Sequence, residues 1–331
     1  MTLAVAEAAP PTFTAPRWLR GAHAQTIYAS QFCPRPQVAY RRERWETPDG
    51  DFIDIDLAPA TAHAAAAPWF VLFHGLEGSS HSHYARALMQ MAAGLGWNGA
   101  VPHFRGCSGE PNRLPRAYHS GDTPEIDWIL RRFATRAAGA PLYAAGVSLG
   151  GNVLMKWATE RGTEASGVVD AAISVCAPVD LAAAGAALER GFARLYALNF
   201  LQTLRRKATA KLVRFPGLFD PERLRQARTM REFDDVFTAP LHGYRNVDDY
   251  WTRASCKPGL SAVAVPSMMI NTLDDPFLPA AALPRMHEVS PRVTLDYPAT
   301  GGHVGFVSGA PPGQTRWLAR RVAHFLGTAI E

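Results

Sequence analysis

A serine with glycines two residues to either side, in Gly146-Val147-Ser148-Leu149-Gly150, stands between the strand-like run Leu142-Tyr143-Ala144-Ala145 and the helix-compatible run Asn152-Val153-Leu154-Met155-Lys156-Trp157. Strand, GxSxG and helix in that order read as a nucleophile elbow. A serine hydroxyl attacks a carbonyl only when a base takes its proton, so the elbow needs a histidine, and the histidine needs an acid to orient it. The expected chain order is acid and then histidine. After the apolar run at 265–270 come Asp274 and Asp275, in Leu273-Asp274-Asp275-Pro276-Phe277-Leu278-Pro279. After the run at 293–297 comes His303, in Gly301-Gly302-His303-Val304-Gly305-Phe306. Ser148 is therefore the expected nucleophile, His303 the base, and one of the two adjacent aspartates the acid.

Acyl transfer also needs donors for a developing oxyanion, one from the residue after the serine and one from the loop after an earlier strand. Those donors are the backbone N–H groups of Leu149 and Leu76. Leu76 lies in His74-Gly75-Leu76-Glu77-Gly78-Ser79, directly after the buried-strand pattern Trp69-Phe70-Val71-Leu72-Phe73. His74 is expected to brace this loop rather than titrate. No Gly-Lys-Ser/Thr follows it and no GxGxxG opens a βαβ unit, so nucleotide binding has no support. His81 and His83 lack a third ligand at metal spacing and are expected in a solvated turn, and no metal or other cofactor is expected. Asp122, before Thr123-Pro124-Glu125, reads as a helix cap and not as a catalytic acid.

The elements that must hold these residues follow from the apolar runs. Runs at 69–73, 98–104, 141–147, 168–176, 265–272 and 293–297 alternate with helix-like segments, which predicts a mostly parallel central sheet covered by helices on both faces. A hairpin, 39–45 with 52–57 around Pro48-Asp49-Gly50, precedes them. Every candidate site residue then falls at the carboxyl edge of the sheet, where open α/β sheets bind ligands. Residues 181–250 are too long for a simple connection and are expected to form a helical lid. Its residues Phe192, Leu195, Tyr196, Leu198, Phe200, Leu201 and Leu204 could cover an acyl pocket. Positions 181–235 hold eleven Lys or Arg against six Asp or Glu, a net of +5 that equals the charge of the whole chain. Such a basic lid, with Arg205, Arg206 and Lys207 at its centre, suggests peripheral contact with an anionic membrane. It lacks the aromatic interleaving of a nucleic-acid platform, and no nucleic-acid partner is expected.

The chain resembles the α/β-hydrolase superfamily and, within it, the YheT-like group. The resemblance rests on Arg20-Gly21-Ala22-His23-Ala24-Gln25-Thr26-Ile27, His74 to Ser79, His103-Phe104-Arg105-Gly106-Cys107-Ser108-Gly109, Gly146 to Asn152, and Asn271-Thr272-Leu273-Asp274-Asp275-Pro276. It covers nearly the whole chain. Trp251 stands where the group usually has tyrosine, and Ala22 and Ala24 depart from its usual Gly-His-Leu-Gln-Thr segment. The resemblance implies one α/β-hydrolase domain over 1–331 and a serine hydrolase acting on a small-molecule or lipid ester. It also implies that the acid is Asp275, the residue directly before the Pro-x-x-Pro turn. Transfer of the acyl group to an alcohol would use the same residues, and a silent hydrolase-like binding protein is the reading from another class.

No apolar run approaches the eighteen or so residues needed to span a bilayer, and the start lacks a signal-peptide pattern, so a cytoplasmic enzyme is expected. Cys33, Cys107, Cys176 and Cys256 show no CxxC spacing and read as reduced thiols. Residues 1–16, rich in Ala, Pro and Thr, are expected to be mobile.

Overall fold

The computed structural model describes residues 9–60 and 66–327. In chain order its main elements are α1 (Ala22–Gln31), β1 (Arg41–Glu46), β2 (Phe52–Ala58), β3 (Trp69–Phe73), α2 (His83–Gly94), β4 (Asn98–Pro102), α3 (Thr123–Ala137), β5 (Leu142–Val147), α4 (Leu149–Arg161) and β6 (Ala171–Val175). There follow α5 (Leu181–Leu188), α6 (Ala193–Arg214), α7 (Pro221–Gln226), α8 (Met230–Phe233), a π-helical turn (Asp234–Thr238), α9 (Ala239–Leu241), α10 (Val247–Ala254), β7 (Ser267–Ile270), β8 (Val293–Asp296) and α11 (Arg316–Phe325).

The strands form one sheet in the order β1-β2-β4-β3-β5-β6-β7-β8. The hairpin pairs antiparallel, β2 joins β4 antiparallel, and the remaining pairs are parallel. Along β3 the side chains alternate between two cores, as a strand's period of two requires: Val71 and Phe73 pack on the face covered by α3 and α4, and Phe70 and Leu72 on the face covered by α2 and α11. All four are fully buried, a sequestration worth about 1.5–3 kcal/mol for each large apolar side chain. The strands end earlier than the sequence runs, because His103, Cys176 and Asn271 belong to the loops that leave the sheet.

Between β6 and β7 the chain builds a third core of its own. Ala197, Leu201, Leu204 and Ala208, at the spacing of one helix face, pack α6 against Leu224, Met230, Phe233 and Phe237. The expected apolar surface on α6 is therefore divided, with Leu201 and Leu204 buried and Phe192, Leu195 and Leu198 about half exposed.

Three local expectations are corrected. Residues 1–8 lie outside the described residues, but 9–16 include an anchored strap. Phe13 packs edge-on against Phe306 and Trp317, and the Trp317 indole donates to the Pro11 carbonyl at 2.9 Å. Asp122 occupies the N-cap position of α3 without capping it, because its carboxylate turns to Arg116 at 2.5 Å. His83 is not in a solvated turn. It opens α2, and its Nε2 meets the Val304 carbonyl at 2.8 Å.

Candidate active site

The elbow is crowded enough to dictate its sequence. A Cβ on Gly146 would collide with the Gly150 carbonyl, and one on Gly150 with the carbonyls of Phe73 and His74. Ser148 sits between them with φ 54° and ψ −122°, a left-handed conformation that a non-glycine residue adopts only under constraint. Its N–H is tied to the Val175 carbonyl at 2.8 Å, at the end of β6. The hydroxyl is thereby lifted off the sheet edge at the start of α4.

His303 Nε2 lies 3.0 Å from Ser148 Oγ, and His303 Nδ1 lies 2.9 and 3.1 Å from the two Asp275 oxygens. A carboxylate accepts, so Nδ1 carries the proton and Nε2 is free to accept from the serine. Asp275 is buried and also accepts from the Phe277 N–H at 2.8 Å. Asp274 points elsewhere and accepts from the Gly302 N–H at 2.9 Å. The two adjacent aspartates are thus separated by their partners: one reaches the imidazole, the other the backbone of the loop that carries it.

That loop is held from several sides. The His303 N–H donates to Thr26 Oγ1 at 2.9 Å, the Val307 N–H to Gln25 Oε1 at 2.8 Å, and His83 grips Val304. Thr26 and Gln25 belong to the 20–27 segment noted in the sequence, which therefore serves the histidine from more than 270 residues away. His83 is half-buried, and desolvation of its ring pushes the imidazole down to about 4, so it is a neutral donor to the carbonyl. His74 braces the neighbouring loop: Nδ1 reaches the Gly75 carbonyl at 2.7 Å, and Nε2 accepts from the Phe104 N–H at 3.1 Å. Burial pushes it to about 3.

Leu76 and Leu149 both line the cleft above Ser148, and neither backbone N–H has an internal acceptor among the described residues. Glu77, next to Leu76, takes the strained φ of 55°. It is pinned there by Tyr118, whose hydroxyl accepts from the Glu77 N–H at 3.0 Å and donates to its carboxylate at 2.9 Å.

The cleft holds about 980 Å³ and runs between the sheet edge and the helices that follow β6, with Leu181, Leu188, Phe200, Phe233 and Phe237 among its walls. Sequence reasoning missed the contacts that several polar and aromatic groups make there. Phe277 stacks on His303, Lys207 pairs with Glu77 at 2.8 Å, and Asp234, raised to about 6 by burial, accepts from Thr238 at 2.6 Å and Trp251 at 2.9 Å. Phe277 had a signal, its place two residues after Asp275. The others had none. Of the basic centre expected at Arg205 to Lys207, Arg206 is exposed and the other two have partners within the fold. Arg205 donates to the Ala227 carbonyl and Lys207 reaches Glu77, so both turn inward.

Cys176, Asp275 and His303 bring possible metal-ligand atoms within 4.8 Å of one another. Both imidazole nitrogens already have partners, and burial raises the Cys176 thiol well above its ordinary value, away from the thiolate a metal requires. This donor set suits proton transfer rather than metal binding. All four cysteines are free.

Residues 68–310 match the alpha/beta hydrolase fold family. The YheT protein of Escherichia coli K12, whose name carries a provisional esterase assignment, is 39% identical over 95% of this chain and 93% of its own. Human phospholipase ABHD3 is 30% identical over 95% of this chain and 78% of its own, and the monoacylglycerol lipase of Saccharomyces cerevisiae is 26% identical over 86% and 63%. Among solved structures, the esterase Est1E of Butyrivibrio proteoclasticus, seen with ferulic acid, superposes with a TM-score of 0.54 at 15% identity, covering 87% of this chain and 98% of that one. The Pyrococcus furiosus esterase Pf2001 gives 0.53 at 16%, over 97% and 98%. These two likenesses concern the fold. The chain belongs to the α/β-hydrolase family, and within it to the YheT-like group.

Proposed function

We propose that this protein is a serine hydrolase of carboxylic esters, with Ser148 as nucleophile, His303 as base and Asp275 as the acid that orients it. The observation that carries this reading is the bridge from Ser148 through His303 to Asp275 at the floor of a largely apolar cleft. Ser148 Oγ bonds to the ester carbon as its proton passes to His303 Nε2, and the oxyanion forms near the amides of Leu76 and Leu149. Collapse breaks the ester C–O bond, and His303 returns the proton to the departing alcohol. Water then attacks the acyl-enzyme, with His303 again as base, and frees the acid and the serine.

The helices at 181–250 serve as the cap of this site. Their apolar wall favours medium or longer acyl chains, since each buried methylene adds about 0.8 kcal/mol. Peripheral contact with an anionic membrane belongs to the same proposal. Its support is the outer edge of α6, where Phe192, Leu195 and Leu198 are exposed beside Arg190 and Arg194, which form no salt bridge among the described residues. Among these residues no helix is long and apolar enough to cross a membrane.

The experiment is a series of neutral glycerol esters from acetyl to dodecanoyl, assayed with wild type and Ser148→Ala, with and without added alcohol. Rising kcat/KM with chain length, abolished in Ser148→Ala, is the expected result. Acyl products appearing on the added alcohol in preference to free acid would replace hydrolysis with acyl transfer. Turnover that survives in Ser148→Ala would remove the mechanism.

A further inference from the structure

We propose that the arm of the cleft along the C-terminal half of α6 is an anion subsite, formed by Lys211 and Arg214 with Arg206 at its edge. It would take a phosphate or carboxylate on the alcohol side of the ester. This deepens the ester-hydrolase reading and rests on it.

The helix period sets up the geometry. Lys207, Lys211 and Arg214 fall on one face of α6, and all three line the cleft together with Arg206. Lys207 is neutralised by Glu77. Lys211 and Arg214 are not: Lys211 Nζ donates to the carbonyls of Leu114 at 3.0 Å and Arg116 at 3.2 Å, and Arg214 to that of Asn112 at 2.7 Å. No carboxylate pairs with either, or with Arg206, among the described residues. The acids nearby are otherwise engaged. Asp51 accepts from Arg105, Asn112 and the amides of Phe52, Arg113 and Leu114, and Glu110 pairs with Arg44 at 2.6 Å.

A cation drawn partly out of water without a counter-charge is destabilised, and an anion arriving with its ligand relieves that cost. Lys211 shows the effect. Burial lowers its ammonium to about 8, against the pull of Asp51. Three-donor Nζ has spent two protons on carbonyls, and the third remains for a ligand.

The position fits a substrate group beyond the reacting carbonyl. Lys207 touches Glu77, the neighbour of the proposed oxyanion donor Leu76. At 1.5 Å per residue, Lys211 lies about 6 Å and Arg214 about 10 Å further along the helix axis. The apolar wall at Leu181, Leu188, Phe233 and Phe237 is left for the acyl chain. The substrate class is thus an acyl ester of an anionic alcohol, such as a glycerol phosphate.

The test compares octanoyl glycerol with octanoyl glycerol phosphate in wild type, Lys211→Met/Arg214→Gln and Arg206→Gln/Arg214→Gln, with Tm recorded for each. Wild type is expected to favour the phosphate ester by about tenfold in kcat/KM, chiefly through KM, with the preference shrinking as salt rises. The first double variant is expected to bring the two esters to parity while leaving the neutral one within about twofold, and the second to reduce the preference by part. Equal rates on both esters in wild type would overturn the proposal while leaving neutral-ester hydrolysis standing. So would a preference that survives both double variants, or an equal loss on both esters at unchanged Tm. If the Lys211 variant does not fold, the Arg206→Gln/Arg214→Gln protein decides, and an undiminished preference there overturns the proposal. Inorganic phosphate that accelerated the neutral ester would assign the subsite to a free effector and overturn the headgroup reading.

Discussion

The phenyl ring of Phe277 lies against the imidazole of His303, with centroids 4.1 Å apart and planes 21° from parallel. On its other sides Phe277 meets Tyr196 at 4.9 Å and Phe200 at 6.0 Å, both from α6. The proposed base is therefore stacked on a ring that is itself packed on α6. Aromatic pairs are worth about 0.5–1.5 kcal/mol beyond their burial, so Phe277→Leu is expected to lower kcat by up to about tenfold with the fold retained. Steady-state kinetics beside a thermal melt check this, and unchanged kcat would reduce the ring to a wall of the cleft.

An alkyl fluorophosphonate is expected to label the protein once, at Ser148, and not at all in Ser148→Ala. Peptide mapping of the adduct is the measurement. Because the three residues act as a unit, His303→Ala should cost several powers of ten in turnover, and the double variant little more. An adduct on another serine would move the nucleophile.

The two aspartates should separate cleanly. Asp275→Asn leaves an amide opposite Nδ1 and disturbs the tautomer, so a loss of about ten-thousandfold in kcat is expected. Asp274→Asn removes only an acceptor for the Gly302 N–H, and its loss should be far smaller. The reverse ranking in folded variants would transfer the role to Asp274.

How much of this was readable in the sequence depended on whether a constraint was local. The elbow was legible because sterics at one turn demand glycine at Gly146 and Gly150, and the order of Ser148, the aspartates and His303 because each follows a recognisable strand. The sheet was legible for the same reason. The choice between Asp274 and Asp275 was legible only through the family resemblance and not from residue type or spacing, since both leave β7 together and the folded loop decides which faces His303. Lys207 with Glu77, and Thr26 with His303, join segments 130 and 277 residues apart, and no periodicity records such meetings. His83 looked like a surface residue because its partner is a backbone carbonyl, which carries no sequence signal.

Acid should destabilise the protein well above the carboxylate range. Burial lowers His74 to about 3, His83 to about 4, and His119 and His242 to about 3. An unfolded chain takes up these protons near pH 6.5 while the folded one does not, so at these four sites the unfolded state holds more protons between about 6.5 and 4, an effect that Asp234, raised to about 6, offsets at one site. Stability is full above 6.5 and is lost as pH falls through that window, at up to about 1.4 kcal/mol per pH unit for a fully buried group such as His74. Melting curves from pH 7 to 5 should show Tm dropping on the order of 5–10 °C. A flat Tm across that interval would contradict the neutral assignment.

The crowding around Ser148 also bears on how this lineage can change over time. The proposed chemistry resides in a hydroxyl that Ser148→Ala removes without adding an atom, whereas the architecture resides in glycines that tolerate no added atom. A descendant released from selection for catalysis is free to shed the serine long before it can shed Gly146 or Gly150. Among such descendants the emptied elbow would persist as a fossil, two glycines still framing a position where nothing reacts.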